Sequence, residues 1–159
     1  MTVEPIPVLW IYGPPGVGKT TTGWELWAQL SQAGIRTGYV DTDQLGICVP
    51  AHRDDPGGHR MKAANLAAVV STFRSAGARC VVVTGVADPQ RVREHADQVP
   101  GAAITLCRLR VDHDELRKRL AERGWHRDLV AEAIREATAL DGSADADLSL
   151  DTTGLSVAE

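Results

Sequence analysis

Cysteine is scarce in this chain of 159 residues, which holds only Cys48, Cys80 and Cys107. They are odd in number, far apart and outside any C-x-x-C spacing, so neither a disulfide framework nor a cysteine zinc site is expected. Cys80 and Cys107 fall in apolar runs and read as small core residues. Positive charge is also short: 17 Lys and Arg stand against 21 Asp and Glu, for a net charge of −4, and the basic residues are scattered. That excludes the electrostatic footprint of a nucleic-acid binder. No apolar run approaches the length of a membrane span, and Met1-Thr2-Val3-Glu4-Pro5 lacks the basic start of a signal peptide, so a cytoplasmic protein without a membrane partner is expected. The five histidines have no ligand-like spacing; His52 and His59 share a loop and read as surface residues.

What is present is an ordinary globular composition, 43% apolar and 24% charged, at a length that suits one domain over residues 1–159. Strands are predicted at 8–12, 37–41, 79–84, 103–109 and 148–151. Helices are predicted at 21–33, 61–75, 89–97, 114–123 and 128–140, with a Pro- and Gly-broken loop over 46–60. Strands alternating with helices predict a three-layer α/β domain around a five-stranded, mostly parallel sheet. Ser156-Val157-Ala158-Glu159 has the spacing of a capping box, which predicts a further helix opening there and a natural chain that continues past it.

Residues 13–20, Gly-Pro-Pro-Gly-Val-Gly-Lys-Thr, form a complete G-x-x-x-x-G-K-[ST] phosphate loop between the first strand and the first helix. In such a loop Gly13, Gly16 and Gly18 let the main chain wrap one anion, and Pro14, Pro15, Val17 and Thr21 complete the cradle. The helix N-terminus adds its partial positive charge, Lys19 reaches the terminal phosphates, and the Thr20 hydroxyl can ligate Mg²⁺. No Asn-Lys-x-Asp guanine reader accompanies it, and ATP is the expected donor.

Asp41 and Asp43 follow the second strand, at the strand ends where an open parallel sheet binds ligands. A carboxylate there can hold Mg²⁺ through water or accept a hydroxyl proton. If the strand continued, the two would share a face. The third strand ends in Thr84-Gly85 with no acid, which assigns the magnesium role to Asp41 and argues against a motor or remodelling ATPase. On the helix at 114–123, Arg119 and Arg123 lie near the apolar stripe of Leu116. They either approach transferring phosphates or pair with Glu115 and Glu122. Trp125 reads as a plug between helices.

The phosphate loop, the Val40-Asp41-Thr42-Asp43 element and the Leu116-x-x-Arg119-Leu120-x-x-Arg123 helix together resemble P-loop small-molecule kinases: shikimate kinase, gluconate kinase, adenylylsulfate kinase and chloramphenicol phosphotransferase. The resemblance implies transfer of the γ-phosphoryl group of ATP to a hydroxyl of a small molecule, with Asp41 near Mg²⁺ and Asp43 at the acceptor hydroxyl. It further implies Arg119 and Arg123 in a lid over ATP, and Asp151-Thr152-Thr153-Gly154, with Thr153, beside the adenine. The chain departs from shikimate kinase at the third strand end, where Thr84-Gly85-Val86-Ala87-Asp88 replaces a Gly-Gly-Gly element. The acceptor pocket is expected around Asp43, Gly85 and residues 46–65, with Arg60 its leading cation. A nucleotide or nucleoside kinase, a toxin-like kinase of a nucleotide sugar and a non-catalytic ATP-binding accessory protein are the alternative readings.

Overall fold

The structure, a computed structural model, describes residues 4–85 and 88–156. The chain runs β1 (Ile6–Tyr12), α1 (Lys19–Gln32), β2 (Thr37–Asp41), a 3-10 turn (Thr42–Gln44), α2 (His59–Ser75) and β3 (Cys80–Thr84). It continues through α3 (Pro89–Ala96), β4 (Ala102–Arg110), α4 (His113–Glu122), α5 (Arg127–Asp141) and β5 (Leu148–Asp151). The five strands form one sheet in the order β2-β3-β1-β4-β5, and every pairing is parallel. Parallel neighbours need crossover connections, and the helices that supply them cover both faces of the sheet. The result is the three-layer α/β architecture of P-loop proteins, as the sequence predicts.

Strand periodicity divides the core. Val8, Trp10, Tyr12, Val81 and Val83 point to one face and pack with Leu66 and Val70 of α2 and Val92 of α3. Ile11, Val82, Cys107 and Leu109 point to the other, against Leu116 and Leu120 of α4 and Ala133 and Ala137 of α5. Fully burying a side chain such as Leu116 or Leu120 contributes about 1.5–3 kcal/mol, so α4 and α5 are firmly seated beside the phosphate loop. Cys107 is a core residue as predicted, Cys80 is only partly buried beside Thr37, and Cys48 is exposed.

Two local readings are corrected. The second strand does not continue past Asp41: its carboxylate accepts a hydrogen bond from the Asp43 N–H (3.0 Å) and starts the 3-10 turn, so Asp41 and Asp43 do not lie on one strand face. Local capping by an Asp side chain competes with strand extension. His59 is not a simple surface residue; its ring lies 5.9 Å from that of the buried His95, which stacks on Trp10. Of the predicted capping box, Val157–Glu159 lie outside the described residues, as do Val86 and Ala87 of the third strand-end loop.

Candidate active site

The centre of the site follows from how α1 begins. Gly18, its N-cap, sits in the left-handed region (φ 108°), no side chain caps the helix, and its first turn carries no acid. The first N–H groups are therefore open toward the sheet's C-terminal edge, where a helix dipole favours an anion. The Lys19 ammonium lies over the loop, donating to the carbonyls of Gly13 (2.9 Å) and Pro14 (3.1 Å). Burial lowers its pKa, and Arg123 lowers it further, while the charges of Asp43, Glu136 and Asp41 oppose that shift.

The carboxylates come from the β2 end. The Thr20 hydroxyl donates to Asp41 Oδ2 at 3.4 Å, joining the last loop residue to the strand. Buried Thr42 donates to the Thr84 carbonyl (2.9 Å) and so ties the 3-10 turn to β3. Trp10 Nε1, from β1, donates to the Gly85 carbonyl (3.1 Å). Gly85 itself is pressed into this junction: a Cβ there would lie 2.4 Å from Thr42 Oγ1 and 3.1 Å from Asp43 Oδ1, at a φ of 106°. Three strand ends are thus locked together around Asp43.

Two open cavities adjoin the loop and share Gly16, Gly18, Thr21 and Arg123. One, of about 520 Å³, runs over Val17 and Thr22 to Leu109, Leu150, Thr152 and Leu155. The other, of about 490 Å³, brings Pro15, Lys19, Thr20, Asp43, Trp125 and Glu136 together. The first is partly apolar and suits a planar base; the second is lined by charge. Arg119 stands on the wall of the first. It donates to the Val17 carbonyl (3.2 Å) and the Thr152 carbonyl (3.4 Å) and pairs with Glu115. Glu115 Oε2 also accepts the Gly154 N–H (2.9 Å). The bonds from Gly154 and Arg119 together hold the Glu115 carboxyl below its ordinary pKa. Arg119 thus makes the predicted pair with Glu115, and its second bond reaches a carbonyl of the phosphate loop. Thr153 is fixed rather than loose, its hydroxyl accepting from the Asp112 N–H (2.8 Å) and donating to Asp151 (2.6 Å).

Two residues fall elsewhere than expected. Arg60, exposed in the first turn of α2, directs its guanidinium back to the Asp54 carbonyl (3.0 Å) of the preceding loop. Trp125, read as a plug, is 37% exposed and lines the charged cavity, because the connection from α4 to α5 is only the stretch 123–126 and leaves no helix gap for an indole to fill. The reading of the sequence also overlooked Glu136. The signal was there: Ala133, Glu136, Ala137 and Leu140 have the i, i+3, i+4, i+7 spacing of a buried helix stripe, and a carboxylate on such a stripe calls for a partner. Burial and Glu132 push its pKa up, and Lys19 pulls it down.

Among the described residues no group of three or more His, Cys, Asp or Glu is placed to hold a metal unaided, and no helix is long and apolar enough to cross a membrane. Thr20 Oγ1 and Asp41 Oδ2 nevertheless offer adjacent oxygen donors at the loop, the donor type that fits Mg²⁺ shared with phosphate oxygens.

No curated protein matches the chain. Among solved structures it resembles the Deinococcus radiodurans tunicamycin resistance protein, at 24% identity and a TM-score of 0.73, over 96% of this chain and 89% of that one. It also resembles a gluconokinase from Sinorhizobium meliloti 1021, at 16% identity and a TM-score of 0.61, over 98% of this chain and 87% of that one. Both likenesses are of fold. A family model described as AAA domain matches residues 9–140, and the chain, with its phosphate loop at the head of that span, belongs to this family.

Proposed function

We propose that the chain is a single-domain, cytoplasmic phosphotransferase that moves the γ-phosphoryl group of ATP to a hydroxyl of a small molecule. The observation that carries this reading is that one cavity holds both Lys19, from the phosphate loop, and Asp43, from the β2 end. A carboxylate in the same cavity as the phosphate-binding lysine can orient and deprotonate an acceptor hydroxyl.

In the reaction the acceptor oxygen attacks the γ-phosphorus, a new P–O bond forms, and the bond from that phosphorus to the β–γ bridging oxygen breaks. Asp43 orients the hydroxyl and takes its proton as the new bond forms. The amides of residues 13–18 and Lys19 hold the phosphates, and Arg123, shared by the two cavities, stands where charge accumulates on the transferring group. Arg119, fixed by Glu115, sets the wall between base and phosphates. Thr20 and Asp41 would hold Mg²⁺, which neutralises phosphate charge when bound. The remaining catalysis is positioning. A gluconokinase among the similar structures is in keeping with a small hydroxylated acceptor.

Asp43→Asn tests the assignment. ADP release driven by a pool of small hydroxyl compounds should fall by about 10²-fold or more, the usual worth of a positioned general base. Affinity for ATP, read by calorimetry, should change little. Equal loss of both would show that Asp43 serves the nucleotide. The family description favours a second reading, ATP turnover without an acceptor. Inorganic phosphate would then be the only phosphorylated product, whereas a phosphorylated nucleoside or nucleotide would move the acceptor to that class.

A further inference from the structure

Glu136 has no part in the transfer just described, yet it occupies a costly position. It lies on the stripe of α5 whose other members, Ala133, Ala137 and Leu140, are buried, and it opens into the cavity that holds Lys19 and Asp43. It is in none of the ion pairs within 4 Å found among the described residues, although Lys19 and Arg123 line the same space. Trp125, 37% exposed, forms the adjacent wall. A carboxylate there does nothing for a triphosphate, which it repels.

We infer that Glu136 and Trp125 form the acceptor-reading wall of the cavity, and that the acceptor is a hydroxyl compound without negative charge that offers a hydroxyl or ammonium donor to Glu136. This rests on the phosphotransferase reading of the same site. The charges decide the class. The two cavities are lined by Lys19, Arg119 and Arg123 and by the acids Asp43, Glu122, Glu136 and Asp151, with Asp41 beside Thr20, so a triphosphate that keeps net charge even with a divalent ion leaves the filled site negative. An acceptor with its own carboxylate or phosphate would meet Glu136 at short range in a partly desolvated space, where like charges are poorly screened. A neutral polyol or an amino sugar instead satisfies the carboxylate, and its C–H face or its cation packs on the indole. The upward push on the Glu136 carboxyl from burial and from Glu132, relieved only by Lys19, agrees with a group that gains from a donor. Arg60, the cation expected to meet an anionic or polar acceptor group, is turned to the Asp54 carbonyl.

The full chain with MgATP is assayed for phosphorylated product with three probes of matched carbon skeleton: glucitol, glucosamine and gluconate. The wild type should use glucitol or glucosamine at least about tenfold better than gluconate in kcat/KM, with the first two separating hydroxyl from ammonium recognition. Glu136→Arg should erase or invert that ratio, and Glu136→Gln, which keeps the shape, should narrow it if the arginine variant does not fold. Gluconate used as well as the other two, an unchanged ratio in the variants, or no product from any probe while ATP binds would each overturn the inference. Failure of the underlying reading would look different: a whole metabolite extract would yield no phosphorylated compound at all.

Discussion

Two helices in this molecule begin in nearly the same way and end up with opposite tasks. α1 and α2 both start from a glycine in the left-handed region, Gly18 at φ 108° and Gly58 at φ 64°, and neither has a capping side chain from that residue. At α2 the loop before the helix returns Asp55, whose carboxylate accepts the Met61 N–H at 3.2 Å. Desolvation pushes this carboxyl up, but the N–H groups of Met61, Arg60 and His59 and the charge of Arg60 bring it below its ordinary pKa. At α1 no cap of this kind is made among the described residues, and Asp41 and Asp43 stand on the β2 end instead. Equivalent helix starts thus become an internal joint or a ligand site according to whether the sequence supplies its own anion.

The largest effect is expected at α1. Lys19→Ala should lower ATP turnover by about 10²-fold or more, because its ammonium is a preorganised donor at the point of charge development, and an unaffected rate would remove α1 from the chemistry. At α2 the corresponding disruption is structural. Gly58→Ala would place a Cβ 2.9 Å from the Gly46 carbonyl in a left-handed conformation, and a destabilisation of about 1–3 kcal/mol in denaturant melts is expected. ATP affinity of the refolded fraction should stay near wild type. The smallest effect is at Asp55. Its folded pKa lies below the unfolded value, so its contribution is complete at neutral pH and is lost as pH falls through the folded value. Asp55→Asn should lower the Tm at pH 7 and flatten its fall between neutral and acidic pH; an unchanged pH profile would mean that the carboxylate does not close the helix.

The fold was legible because its signals are local. The apolar runs that became β1 to β5 and the caps and glycines that bound the helices each act within a few residues, and the predicted boundaries lie within about two residues of those observed. The donor half of the site was legible for the same reason: residues 13–20 are contiguous, and their geometry is their sequence. The acceptor half is assembled from distant elements. Arg60 looked suitable by type, but its side chain had a nearer carbonyl. Glu136 takes its place only when α5 packs on α4, which turns the stripe of Ala133 and Ala137 inward and carries the carboxylate with it. Trp125 went the other way, because the short link from α4 to α5 left it at the cavity rim.

The Lys19 ammonium, with its two loop carbonyls, bears on what a measured affinity will mean. The lysine's protons are shared with the carbonyls of Gly13 and Pro14. A nucleotide exchanges one set of acceptors for another there, and the binding constant records only the difference between the two sets. A nucleoside diphosphate that falls short of the lysine leaves the internal set intact, whereas a triphosphate must displace it. Discrimination between the two on binding should accordingly be mild, with the full value of the lysine appearing only when the terminal phosphoryl group begins to move.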